Sequence, residues 1–204
     1  MSDSQEATVI LQEKLFFVGS EVPDQLRAAF VEAWEGFPQV HEHKVSLRLR
    51  QLSKVSMRAQ PVVNTRFFSR ASRDYVIEMK RDQLEAISFR LVDCPHEVLV
   101  GWLAHELGHV VDYLERSWAN LLAFGVNYLW SPTFRIGAER QADIYAIENG
   151  FAKQIQATKR FILEESKISN KYLDRINKYY MSPDEVEQIV LHRQKEEAHR
   201  DRVV

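Results

Sequence analysis

The spacing of apolar residues changes twice along this chain. Between residues 20 and 36, Leu26, Phe30, Ala33 and Trp34 recur at helical spacing. Ser20 is placed to cap that helix, Pro23 suits its first turn, and Gly36 suits its stop. From residue 45 the period falls to two. Val45, Leu47 and Leu49 alternate with Ser46, Arg48 and Arg50, the pattern of a half-buried strand over 45–52. Short β-branched or aromatic runs at 62–68 and 74–79, and the alternation of Ile87, Phe89 and Leu91 within 87–92, predict two or three further strands whose order does not follow from the pattern.

After Pro95 the helical period returns. It predicts helices from Pro95 to about 117, over 118–129, from about Phe134 to Gly150, over about 151–168, and over 182–200. The last begins with Ser182 as cap, Pro183 in the first turn and Glu185 at the capping-box position. The expected class is therefore α+β: one domain over 1–204, with a small twisted sheet from about 45–92 packed on the first long helix and a mainly helical half over 95–200.

Composition adds limits. At 204 residues the chain can bury a core without staples, and the single Cys94 excludes both an internal disulfide and a cysteine metal cage. The first residues lack a basic and apolar leader pattern. The most apolar run, 118–130, is 13 residues long, short of the roughly 20 needed to cross a bilayer, though it could touch a membrane or a partner. A cytoplasmic location is the expectation. Residues 1–43 carry eight acidic and two basic side chains, whereas 44–81 carry ten basic and two acidic ones. That asymmetry fits either the polar side of a sheet balanced by the acidic segment, or an anion-binding face. No aromatic-rich or glycine-rich nucleic-acid pattern accompanies it.

The candidate chemistry lies in "LAHELGHVVDYLE", residues 103–115. His105 and His109, four apart, share one helix face and can grip a single ion. Glu106 follows the first histidine, where its carboxylate can take the proton of a water activated by that ion without ligating it. A random arrangement of this composition yields roughly 0.02 such H-E-x-x-H motifs per chain. The plainer reading is a core helix whose histidines are hydrogen-bonded. A second half-site tips the balance: Glu139 and Asp143, again four apart, can supply a third ligand and an acceptor for the other ring N–H of a bound histidine.

"HELGH" followed 30 residues after its second histidine by "ERQAD" resembles the gluzincin zinc metallopeptidases, most closely the H-E-x-x-H…E-x-x-A-D pattern of the CAAX-prenyl-endoprotease-like and HtpX-like peptidases. The resemblance covers about 45 residues, and the chain lacks that group's transmembrane segments. It implies a zincin-like fold and one zinc ion per chain, held by His105, His109 and Glu139. Glu106 would be general base, Asp143 would support the ligands, and a peptide or protein would be the substrate. Gly108, between the histidines, should cost about 1 kcal/mol against Ala in a helix interior; close approach of the helix carrying Glu139 is one reason for it, and tolerated neutral drift is the plainer one. Tyr145, Tyr179, Tyr180 and His192 are candidate donors to a developing oxyanion. His41, His43 and His96 read as surface or satisfied histidines, and the aromatic run Trp118, Phe124, Tyr128 and Trp130 as core or as the wall of an apolar groove. Two rival readings stand beside the peptidase: a non-catalytic zinc protein, and a nucleic-acid-associated protease using the basic 44–81 segment.

Overall fold

The computed structural model describes residues 15–18, 22–53, 55–82, 90–164 and 168–200, with the side chains of 15–18 and 197–199 left aside. The alternating segment forms the strand β2 (Val45–Arg50). It sits in a four-stranded sheet with β1 (Leu15–Val18), β3 (Met57–Pro61) and β4 (Tyr75–Lys80), in the order β1-β2-β4-β3. The first three in that order run parallel, and β3 runs antiparallel to β4. The class is α+β.

Register divides the sheet into two faces. Val45 and Leu47, Tyr75, Ile77 and Met79, and Met57 and Ala59 are buried in the common core. On the other face Arg48, Glu78 and Arg58 lie in one row across three strands. Glu78 is 1% exposed there and ion-paired with Arg48, Arg50 and Arg58. Three of the basic segment's ten cations thus converge on one carboxylate. Arg73, fully buried, donates to the carbonyls of Phe67, Tyr113 and Arg116, and Arg70 donates to that of Leu114. These two cations cap the C-terminal end of the histidine-bearing helix, where the helix dipole favours positive charge.

Two strand expectations are corrected. The 62–68 run is a turn, because Asn64 accepts from the backbone N–H of Arg66 and Phe67, which outweighs the β-propensity of Val62, Val63 and Phe67. Pairing passes instead to Met57–Pro61, where Met57 and Ala59 alternate with Arg58 and Gln60 but no β-branched or aromatic residue strengthens the signal. Of 87–92, residues 87–89 lie outside the described residues, and the rest enters a short 3-10 turn over Leu91–Asp93 closed by the Arg90–Asp93 pair. The strand β1, four residues long, escaped the pattern analysis.

The helices fall close to expectation: α1 (Asp24–Glu35), α2 (His96–Leu114), α3 (Trp118–Trp130), α4 (Pro132–Glu148), α5 (Ala152–Glu164), α6 (Asn170–Tyr179) and α7 (Pro183–Arg200), with α6 unforeseen. Ser182 accepts from the Glu185 N–H at 3.2 Å while Glu185 accepts from the Ser182 N–H at 2.8 Å, the expected capping box. Ser20 lies outside the described residues. Gly150 ends α4 at φ 91°, with Gly150 and Phe151 N–H groups bonded back to Ile147 and Ala146. Gly36 differs: its φ is −74°, and a Cβ there would lie 2.3 Å from the Phe151 ring, so packing rather than a left-handed stop requires it. Among the described residues no helix is long and apolar enough to cross a membrane.

Candidate metal centre

The helix α2 runs through the core, with fourteen of its residues buried, and packs against α1, α4, α5 and strand β3. Gly108 is its closest approach to α4: a Cβ there would lie 2.3 Å from the Ala142 carbonyl oxygen. The helix propensity lost at that glycine is the condition for bringing Glu139 and Asp143 against the two histidines. The expected close approach is therefore found.

His105, His109 and Glu139 converge in the interior. Glu139 Oε2 lies 3.1 Å from His105 Nε2 and 3.5 Å from His109 Nε2, and the three ligand atoms fall within 4.8 Å of one another. Two ligands held about 2.0–2.1 Å from a tetrahedral ion lie roughly 3.3–3.4 Å apart. Both measured edges bracket that value, so this buried group could hold a metal ion.

The hydrogen bonding fits the same occupant. Asp143 Oδ1 accepts from His105 Nδ1 at 2.9 Å, and Lys159 Nζ, itself buried, donates to Asp143 Oδ2 at 2.7 Å. That ring N–H contact leaves the neutral His105 with its Nε2 lone pair facing Glu139 Oε2. Two lone pairs at 3.1 Å repel unless a proton or a cation lies between them. With His105 in that neutral form, ionised Glu139 and Asp143 against the Lys159 ammonium leave a net negative charge buried, which a bound cation would offset.

The ionisation tendencies follow. Burial works against the charged His105, but the Asp143 and Glu139 carboxylates outweigh it and raise its pKa to about 10. Burial would raise Glu139, yet the two histidines hold it well below the ordinary carboxylate value. Asp143 is likewise lowered, its burial outweighed by Lys159 and His105. Glu106 goes the other way: burial raises it, and the histidines offset this only in part.

Glu106 is held at one point by a backbone hydrogen bond from Ala59, while its Oε2 is buried with no partner among the described residues. His109 Nδ1 also lacks a partner there, and its ring stacks on Tyr113 at 6.1 Å. Tyr128 donates to Glu139 Oε1. Glu106, His109 and Glu139 open onto a groove of about 380 Å³, walled by β3 on one side and by Leu121, Phe124 and Tyr128 of α3 on the other. Tyr180, whose ring lies 5.4 Å from that of His105, closes one end, and burial keeps its hydroxyl protonated far above the ordinary value.

Five expected residues are thus brought together: His105, Glu106, His109, Glu139 and Asp143. Tyr145 and His192 are not. Tyr145 stands two residues beyond Asp143, about 200° round α4, and lines neither this groove nor the small cavity behind His105. His192 is exposed on α7, 3.3 Å from Glu196 of its own helix. Tyr179 lies under Arg135 and Lys178. The edge strand beside the site is β3, because β4 lies between β2 and β3. His41, His43 and His96 are satisfied by the Trp34 carbonyl, the Arg73 carbonyl and Glu32. Lys159 was not among the residues expected at the site, although a lysine in line with the buried Ile155, Thr158 and Ile162 was a readable signal.

No protein-family model, curated protein or solved structure matches the chain.

Proposed function

We propose that this chain is a zinc-dependent peptidase of the gluzincin kind. The observation that carries the reading is the joint placement of three ligand atoms at metal-ligand separations and a fourth carboxylate, Glu106, with an unpartnered buried oxygen on the same groove. Two imidazoles and one carboxylate are a zinc donor set, and three protein ligands leave the open position that catalytic sites keep. His105, His109 and Glu139 would hold the ion, which when bound supplies Lewis acidity to a carbonyl and a water.

The remaining work falls to the chain. Glu106 takes the proton of the attacking water and passes it to the leaving amine, a role that suits a carboxyl whose pKa burial has raised. Asp143, itself fixed by Lys159, holds the tautomer and orientation of His105. Tyr180, whose ring lies 5.4 Å from that of His105 and which lines the same groove, serves the developing oxyanion. The β3–β4 ladder uses Ser56 and Val62, so the odd residues Met57 and Ala59 turn their backbone outward towards the groove. An extended peptide adds to that edge as a further strand, its side chains meeting Leu121, Phe124 and Tyr128.

The test is zinc content together with Glu106→Gln. About one zinc per chain is expected in both proteins, and hydrolysis of a peptide library only in the parent. A parent that stays metal-free with zinc in excess refutes the reading. Equal behaviour of parent and variant in every function would favour a non-catalytic zinc protein instead.

A further inference from the structure

The helix α3 has two apolar faces. Leu121 and Phe124 are its only buried residues, facing the groove, while Trp118, Leu122, Val126, Leu129 and Trp130 are between 44% and 83% exposed, Leu129 at the groove's border. The spacing 118, 122, 126 and 129–130 puts these five on one outward stripe. Phe68, 64% exposed, extends it through an edge contact with Trp118 at 5.7 Å. Residues 117–134 contain no charged side chain at all. Surface helices ordinarily carry charge on the outer face, and a contiguous apolar patch of this kind marks an interaction site.

Three features select the occupant. The stripe ends in a tryptophan on both sides, and indole rings, apolar with one polar N–H, favour the headgroup level of a bilayer. The helix has 13 residues, about 20 Å, and its inner face is held to the groove, so it can lie in an interface but not cross one. Its margin carries four arginines: Arg116 and Arg135 bracket the uncharged run, and Arg66 and Arg70 flank Phe68 in the sequence. Arg116 is paired with Asp112 and Arg66 with Asp74, which leaves Arg70 and Arg135 as the cations without a carboxylate hydrogen bond. Both donate to backbone carbonyls instead. A protein partner would require no such pairing of terminal tryptophans with a positive rim. We propose that the outer face of α3 seats on the surface of an anionic phospholipid bilayer. Because the opposite face of the same helix walls the groove, docking brings the groove to the membrane surface. The proposal does not depend on zinc.

The experiment is co-sedimentation of the full chain with vesicles of three parts phosphatidylcholine to one of phosphatidylglycerol, and with phosphatidylcholine alone. Binding to the anionic vesicles is expected, together with quenching of tryptophan fluorescence by brominated lipid. The triple variant Leu122→Gln, Val126→Gln, Trp130→Gln should partition at least about tenfold less while keeping the parent's helicity and unfolding midpoint. A parent that stays in the supernatant, or a folded triple variant that binds equally, overturns the proposal. So does a dimer that the triple substitution dissolves without any vesicle binding, which would assign this face to a second copy.

Discussion

Gly108→Ala measures how tightly the site depends on helix packing. In an exposed helix interior this exchange stabilises by about 1 kcal/mol, because alanine is the better helix former. Here the added Cβ would lie 2.3 Å from the Ala142 oxygen, 3.0 Å from its carbonyl carbon and 3.1 Å from its Cα. These are backbone atoms, with no flexible side-chain end to swing aside. An ordinary carbon–oxygen contact is about 3.3–3.6 Å, so α4 must retreat by roughly 1 Å. Overpacking of this severity costs about 3 kcal/mol, which exceeds the propensity gain and leaves a net loss of about 2 kcal/mol. Glu139 and Asp143 lie on the retreating turns, so ligand separations of 3.1 and 3.5 Å lengthen by about a third. Zinc affinity should fall at least about tenfold. Urea unfolding of the metal-free protein and zinc titration against a chromophoric chelator read the two effects. Gly137→Ala, on α4 with nothing within 4 Å of its added Cβ, is the control and should gain up to about 1 kcal/mol with zinc affinity unchanged. A Gly108→Ala protein as stable as Gly137→Ala, with the parent's zinc affinity, would refute the reasoning.

Two further outcomes follow from the buried charges. Lys159→Met leaves Asp143 without its cation, so the metal-free protein should lose about 3 kcal/mol. Zinc affinity should also drop about 10–100-fold, and an unchanged affinity would show that Asp143 needs no support. Glu78 has its pKa lowered because, although burial opposes ionisation, Arg58 and Arg48 outweigh it. A lowered folded pKa means the contribution is complete above the unfolded value near 4.5 and is lost as pH falls through the lower folded one. Glu78→Gln should therefore cost about 2 kcal/mol at pH 7 and progressively less towards pH 3, as denaturant midpoints across that range will reveal.

Helices were the more readable part of this fold, because their signal is local. Apolar residues three and four apart, Ser182 with Glu185, and Gly150 each act within one or two turns of themselves. The H-E-x-x-H half-site was legible for the same reason, since i, i+4 spacing on any helix puts His105 and His109 on one face. The pairing with Glu139 and Asp143 was legible only as an expectation, resting on a second i, i+4 pair downstream. Strands were less so. Whether 57–61 or 62–68 pairs with β4 is decided by the turn at Asn64 and by the partner strand; the alternation of Met57 and Ala59 with Arg58 and Gln60 is too short, and too poor in β-branched residues, to decide it alone.

The sequence by itself determined that two histidines and a glutamate share a helix, that a glycine sits between the histidines, and that 118–130 is the most apolar run of the chain yet too short to cross a bilayer. Tertiary structure decided the rest. It set Glu139 at ligand distance from both histidines, put Lys159 behind Asp143, and excluded Tyr145 by turning it round the helix. It also gave α3 one face for the groove and one for the outside. The physical reason is common to all of these: spacing along a chain fixes which residues share an element's face, but only the packing of elements fixes what that face meets.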